Sequence, residues 1–260
     1  VLELTFLGTG TSTGVPLILC DCPVCTSSDP RDARLRASVL VRSATTTVLI
    51  DTSPDLRAQL LQARPPRIDG VLYTHSHADH TAGLDELRRY NILQRSRIPV
   101  WATEQTGRDL TRRFDYAFDH SFSFFGGKPD LDLHPIEPGT PFTVGDLEIT
   151  PIAINHGRLP IVGFRIGSLA YVTDVKTIPE SSLPLLEGLD TLILTALRQK
   201  EHVAHMSLSE ALATIEQLRP TRTYLTHIAH ELGRYLDVGA TLPPGVELAV
   251  DDLTIELGLA

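Results

Sequence analysis

The chain has 260 residues, 42% of them hydrophobic, with a net charge of −9 at pH 7. That is enough apolar material for one large core, and residues 1–260 are expected to form a single domain. The acidic balance argues against a broad basic surface for extended nucleic acid. No apolar run approaches the roughly eighteen residues of a membrane span and no signal peptide opens the chain; Val1 in place of Met implies trimmed or omitted leading residues. The three cysteines all fall between Cys20 and Cys25 and cannot make an even disulfide framework. They point to a reducing, cytoplasmic setting and to metal binding.

Residues 2–7 alternate as a strand, followed by Gly8-Thr-Gly-Thr-Ser-Thr-Gly14. This Gly-rich turn lacks the lysine of a phosphate-binding loop and the spacing of a dinucleotide fingerprint. It is expected to lie beside the site with its amides turned to an anionic substrate. Cys20-Asp-Cys-Pro-Val-Cys25 offers three of the four tetrahedral ligands of a structural zinc. Asp21 and Pro23 mark an exposed loop, which disfavours three buried free thiols; the fourth ligand must come from elsewhere in the chain.

A strand hairpin over 39–41 and 45–50 ends in Asp51-Thr-Ser-Pro-Asp55, and a helix over 55–62 follows. Asp51, at a strand end, either orients a ligand histidine or loop amides, or simply caps the helix start. The apolar run 68–73, after Pro65 and Pro66, predicts a short buried strand, and 84–93 carries a helical pattern. Between them stands Thr74-His-Ser-His-Ala-Asp-His80. Three imidazoles and a carboxylate within six residues are hard to explain as packing or as a polar helix cap. His75 and His77 project to one side of an extended backbone, and Asp79 and His80 turn back at the helix start. One loop therefore serves two adjacent cations. Imidazole suits zinc, and carboxylate also accepts manganese or iron.

A strand over 99–102 and a helix over 104–113 come next. The aromatic segment 114–125, with Tyr116, Phe118, Phe122, Phe124 and Phe125, is a satellite core by default; a pocket wall or a homodimer contact are the alternatives. His120 within it reads as a satisfied histidine. Strands over 131–136, 142–144, 147–154, 161–166 and 169–172 follow, punctuated by Asn155-His156-Gly157 and by Thr173-Asp174. A strand over 191–195, a helix over 208–218 and a strand over 223–225 then lead to Thr226-His-Ile-Ala-His230. Short strands ending in a His, an Asp and again a His repeat the layout of the central motif, with no composition break between them.

These residues, in this order, resemble the metallo-β-lactamase superfamily. The resemblance implies an α/β (α+β) fold, a four-layer αββα sandwich of two mixed sheets flanked by helices, with a dinuclear metal site at one edge. It also implies that His75, His77 and His156 hold one metal, that Asp79, His80 and His227 hold the other, and that Asp174 bridges them. The Gly8-Thr-Gly opening, the cysteine cluster and the Thr226-His-x-x-His230 pair are further similar to the phosphodiesterase family of the bacterial carbon–phosphorus lyase pathway. That likeness makes His230 the fourth zinc ligand beside Cys20, Cys22 and Cys25, tying the loop 18–28 to 226–230. Closing so long a loop is strongly stabilising. The cysteine loop and Ser53-Pro-Asp55 also resemble the pyrroloquinoline quinone biosynthesis protein B family, which lacks the full H-x-H-x-D-H run. The tRNA-trailer endonuclease family shares the active-site motif, but no long basic insertion or Gly-rich arm is present to grip tRNA.

Two cations about 3.5–4 Å apart acidify a shared water and clamp both oxygens of a phosphoryl displacement. Asp79 is placed to orient or deprotonate that water. In Glu201-His-Val-Ala-His205 the resemblance assigns His205 as general acid or phosphate binder, with His202 its competitor. The expected reaction is hydrolysis of a small anionic phosphodiester, such as a cyclic ribose phosphate or a 2′,3′-cyclic nucleotide. A thioesterase or lactonase, a tRNA-trailer-type nuclease and a non-catalytic metal-stabilised binding module are the alternatives, and the complete ligand set disfavours the last. Zinc, manganese or iron suits the seven nitrogen and oxygen ligands, and zinc the thiolates. No membrane or extended nucleic-acid partner is expected, and the resemblance implies a homodimer.

Overall fold

Ser38-Val-Leu-Val-Arg42 and Thr47-Val-Leu-Ile50 are apolar at almost every interior position, which demands cover on both faces of the sheet they form. The structure, a computed structural model, describes residues 2–121 and 127–257 and supplies that cover. Val39, Val41, Val48 and Ile50 face a second sheet, while Leu40 and Leu49 face helices. Phe122, Phe124 and Phe125 of the aromatic segment lie outside the described residues.

The first sheet contains β1 (Leu2–Gly8), β2 (Ser38–Arg42), β3 (Thr47–Ile50), β4 (Gly70–Leu72), β5 (Ile98–Ala102) and β6 (Leu131–Pro135). The second contains β7 (Phe142–Val144), β8 (Leu147–His156), β9 (Leu159–Ile166), β10 (Leu169–Val172), β11 (Thr191–Thr195), β12 (Arg222–Thr226) and β13 (Val246–Leu248). A last strand, β14 (Thr254–Leu257), returns to the edge of the first sheet beside β1. The orders are β14-β1-β2-β3-β4-β5-β6 and β13-β12-β11-β10-β9-β8-β7. Pairs from β3 to β6 and from β10 to β13 are parallel and the rest antiparallel, so both sheets are mixed.

Leu4, Phe6, Val41 and Phe164 fill the space between the sheets with no exposed surface, each contributing about 1.5–3 kcal/mol by burial. Outside the first sheet lie α1 (Leu56–Ala63), the one-turn α2 (Ala78–Thr81), α3 (Arg88–Gln94), α4 (Glu104–Arg113) and α5 (Asp115–Phe118). Outside the second lie a 3-10 stretch Glu180–Leu186, α6 (Leu208–Leu218) and α7 (Tyr235–Gly239). The architecture is the αββα sandwich of the sequence expectation. Residue type explains the clearest helix starts: Thr103 accepts from the Thr106 amide, and Ser207 with Glu210 forms a capping box.

Some expectations need correction. The helical pattern 84–93 divides into a 3-10 turn, Leu84–Leu87, and α3. β8 runs on through His156, because its hairpin turns only at Gly157, whose φ is +59°. β13 and β14 are additional: they are short and end a sequence with little periodicity. Within the Gly8–Gly14 turn, three amides are used inside the fold rather than turned to a ligand. Gly10 donates to Leu35 O, Thr11 to Ile228 O and Gly14 to Thr11 O. A Cβ on Gly8 would come within 2.1 Å of Arg36 O, so that glycine serves close backbone approach instead.

Candidate metal centre

Three strands end in residues with left-handed backbone: Asp51 after β3 (φ +63°), Asp174 two residues beyond β10 (φ +58°) and His227 after β12 (φ +55°). For non-glycine residues this costs on the order of 1–3 kcal/mol each, offset only where the surroundings fix it. All three residues are buried and turn to the same end of the sandwich. The segment 74–80 leaves β4 toward this end; His77 is extended and α2 begins directly after it.

His75, His77 and His156 form one group of donors, with ring centroids 4.5 Å (75–77), 5.1 Å (77–156) and 5.6 Å (75–156) apart. Asp79, His80, Asp174 and His227 form a second. There Asp174 Oδ1 lies 3.1 Å from His227 Nε2, and Asp174 Oδ2 lies 3.4 Å from His80 Nε2 and 3.8 Å from His75 Nε2. Asp174 therefore stands between the two groups. Asp79 Oδ2 is 3.2 Å from His80 Nε2 and 3.6 Å from His227 Nε2.

Hydrogen bonds at the back of the rings set which nitrogen faces inward. Thr74 Oγ1 donates to Asp51 Oδ2 (2.8 Å), so its lone pairs accept from His75 Nδ1 (3.0 Å). His80 Nδ1 donates to Asp51 Oδ2 (2.7 Å), and His156 Nδ1 to Ala204 O (2.9 Å). Each Nε2 is left with a lone pair toward the centre. Asp51 also accepts from the Thr74 amide at 2.9 Å and caps no helix. Thr173 Oγ1 donates to Asp174 Oδ1 (2.9 Å), and the Asp174 amide donates to Thr195 Oγ1 (2.7 Å).

The donor set fits metal. His75 Nε2, His80 Nε2 and His227 Nε2 are buried without a hydrogen-bond partner, although carboxylates stand close by. They meet at common points rather than pairing with one another. Burial opposes charge throughout, yet the carboxylates of Asp174, Asp51 and Asp79 hold His80 well above the usual histidine range. Against burial, His80 and His227 hold Asp174 well below the carboxylate range, and chiefly His80 does so for Asp79. Burial, then the charge on His80, pushes His75 well down. The cluster needs positive charge at its centre, which divalent cations supply without titrating.

His205 is buried at the rim, with its ring 4.5 Å from that of His156 and 4.8 Å from that of His227. Burial, then the charge of His227, pushes it down to about 3. His202 is half-buried, 5.1 Å from His205, and accepts from the Ala204 amide. His120 sits away from the pocket, bonded to Asp130 (2.9 Å) and 3.2 Å from Asp132, satisfied as expected.

A second cluster joins Cys20, Cys22, Cys25 and His230. His230 Nδ1 lies 3.3 Å from Cys20 Sγ and 3.2 Å from Cys22 Sγ. The Cys25 amide, then His230, pulls the Cys22 thiol down to about 6, toward the thiolate a zinc ion requires. Burial pushes Cys25 up to about 11, a cost that a cation beside it removes. The loop is held further where Gly10 bridges Ile228 and where the Ile228 amide donates to Thr9 O.

Residues 46–228 match the family model described as the β-lactamase superfamily domain. The chain belongs to the β-lactamase superfamily. Within the superfamily, a diphosphatase from the PhnP family superposes with a TM-score of 0.92 at 41% identity, covering 99% of this chain and 98% of that one. Zn(2+)-bound PqqB from Methylobacterium extorquens superposes at 0.79 with 20% identity, covering 98% of this chain and all of that one, a likeness of fold. A curated relative, the octanoyltransferase of Porphyromonas gingivalis, is 39% identical over 97% of this chain, which spans only 51% of that protein's length. Fold and family together make the chain a PhnP-like member of the superfamily, with donor groups that could hold metal ions. No helix among the described residues is long and apolar enough to cross a membrane.

The residues that sequence reasoning did not reach are Thr74, Thr173 and Thr195 behind the donors, and Asp109, which accepts from the Ser76 hydroxyl between His75 and His77 at 2.7 Å. Thr74 and Thr173 each precede a donor directly, which is a usable signal. Thr195 and Asp109 have none in sequence.

Proposed function

We propose that this chain is a dinuclear phosphodiesterase acting on a small, anionic, cyclic class of substrate typified by cyclic ribose phosphates and 2′,3′-cyclic nucleotides. What carries the reading is Asp174 standing between two groups of inward-facing histidines and carboxylates. The 41%-identical PhnP-family diphosphatase, whose name also denotes phosphoryl chemistry, supports it. His75, His77 and His156 would hold one divalent metal, Asp79, His80 and His227 the second, with Asp174 shared. Cys20, Cys22, Cys25 and His230 would hold zinc. Bound metals there supply Lewis acidity toward water and phosphoryl oxygen; zinc, manganese and iron all suit the donors.

Asp79, only partly buried at the mouth, accepts the proton of the attacking water as its oxygen bonds to phosphorus. The bond from phosphorus to the leaving oxygen breaks, and that oxygen takes a proton. His205 is neutral in the free protein and suited to hydrogen-bonding a phosphoryl oxygen. The negative charge of the bound substrate raises its proton affinity, so that His205 would take up a proton from solvent and pass it to the leaving oxygen. Asp51 aims His80 and, through Thr74, His75.

A second reading, hydrolysis of an acyl ester or thioester, is favoured by the Porphyromonas gingivalis relative, although half of that protein lies outside the match. Metal-loaded protein assayed with bis-p-nitrophenyl phosphate, a 2′,3′-cyclic nucleotide and an octanoyl thioester, each with manganese and with zinc, separates the two. Turnover of the phosphodiesters above the thioester is expected. Thioester turnover alone would replace the first reading by the second, and inactivity with all three at full metal occupancy would remove both.

A further inference from the structure

The five imidazoles of the metal pocket are not aimed in the same way. His75, His80 and His156 each have a hydrogen-bond partner on Nδ1. His227 is 1% exposed and stacks against His80 and His205. His77 has neither kind of support. Its side chain is exposed, and among the described residues its ring meets only the rings of His75 and His156. An exposed imidazole with no partner keeps its direction only if its backbone is held.

The holding contacts fall on Ser76. Ser76, between His75 and His77, turns toward α4 rather than into the pocket. Its hydroxyl donates to Asp109 Oδ2 at 2.7 Å, and its carbonyl accepts from the Arg113 guanidinium, one helical turn further along. Gln105 bonds the same Asp109 carboxylate from the preceding turn. On the other side of His77, its carbonyl accepts from the His80 amide (3.1 Å) and Thr81 Oγ1 (2.9 Å). The peptide units before and after His77 are thus both fixed. α4 is a firm anchor: Thr103 caps it, and Leu110 and Gly107 are buried against the first sheet, with Leu133 beside Gly107.

We infer that Asp109 and Arg113 are positioning residues for the first metal, acting through Ser76 on His77. The inference rests on the proposed reading that His75, His77 and His156 hold that metal. It gives α4, which contributes no ligand, a direct grip on the metal's affinity. A contact that merely tacked the loop to the helix would leave that affinity unchanged.

The test is chelator competition on metal-loaded protein, with cobalt substitution to follow the two pocket metals by absorption, and with thermal unfolding recorded alongside. Ser76→Ala and Asp109→Ala should each weaken one pocket metal by about 10–100-fold, the usual cost of losing an outer partner. The other pocket metal, the zinc of the cysteine cluster and the unfolding midpoint should stay close to wild type. The double variant should be no weaker than either single one, because both remove the same contact. Ser76→Thr, which keeps the hydroxyl, should retain wild-type affinity. Wild-type affinity in Ser76→Ala, or additive losses in the double variant, overturns the positioning role. Failure of the wild-type protein to bind metal in the pocket would instead overturn the functional reading beneath it.

Discussion

His227 and His230 are three residues apart on one segment, yet they belong to donor clusters built in opposite ways. The pocket of His227 draws nitrogen and oxygen donors from the ends of β4, β8, β10 and β12, drawn from both sheets, and buries most of them. The cluster of His230 draws three thiols from one six-residue loop and leaves all four side chains half-buried. The first is a product of the sandwich, because no donor there is in place until two sheets have formed. The second is local on one side and acts as a clasp between a loop and a distant segment. Between them, the backbone bonds of Thr9 and Thr11 to Ile228 tie the clasp to the strand end that carries His227. The pocket therefore depends on the fold, while the fold depends in part on the clasp.

Removing one donor from each cluster is the strongest way to break this contrast. Asp174→Asn should empty both pocket positions and reduce turnover to background, while elemental analysis still finds zinc at the cysteines. Cys22→Ser should do the reverse in kind. It should release the zinc and lower the unfolding midpoint, because binding energy at such a site is folding energy. Finding that Asp174→Asn also strips the cysteine zinc would end the distinction.

A smaller effect sharpens the description of the pocket. His205→Ala should lower kcat by about 10²–10⁴-fold, the range for a lost proton donor, with pocket metal content intact. Unchanged kcat, or metal loss in step with activity, would assign His205 elsewhere.

The smallest effect concerns the seam between the two clusters. Asp251 accepts from Thr9 Oγ1 (2.7 Å) and from the Leu35 amide (2.6 Å), and the buried Arg34 also donates to Thr9 Oγ1. Burial, only partly offset by these bonds, pushes its carboxyl up to about 6 from 3.8. Between those values the folded state binds more protons than the unfolded one, so this residue's contribution falls as pH rises through the window, by about 2–3 kcal/mol in all. Chemical denaturation between pH 4 and pH 7 should show that decline in wild type relative to Asp251→Asn. Parallel curves for the two proteins would remove Asp251 from the account.

Much of the molecule was legible beforehand. Helices Glu104–Arg113 and Leu208–Leu218 and strands Phe142–Val144, Leu169–Val172 and Thr191–Thr195 have the expected bounds, because each pairs clear periodicity with a local stop signal. The strands β13 and β14 were not expected, since both are short and the sequence that carries them has little periodicity. The expectation for the turn's amides fails at Gly10, Thr11 and Gly14 for a related reason. A glycine that admits an anion and a glycine that admits another backbone look alike until the partner, here Arg36 O, is in place.

Residue order by itself determined which atoms are available: imidazoles and carboxylates at the ends of predicted strands and thiols within one loop, at spacings that suit metals. Only the tertiary structure decided which of them meet. It set Asp174 between two groups, turned Asp51, Asp174 and His227 inward through left-handed backbone, and laid Asp109 against Ser76. The physical reason is range. Spacing and periodicity act over a few residues, whereas a donor cluster and its hydrogen-bonded supports are fixed by the packing of two sheets, which brings residue 51 against 80 and 20 against 230.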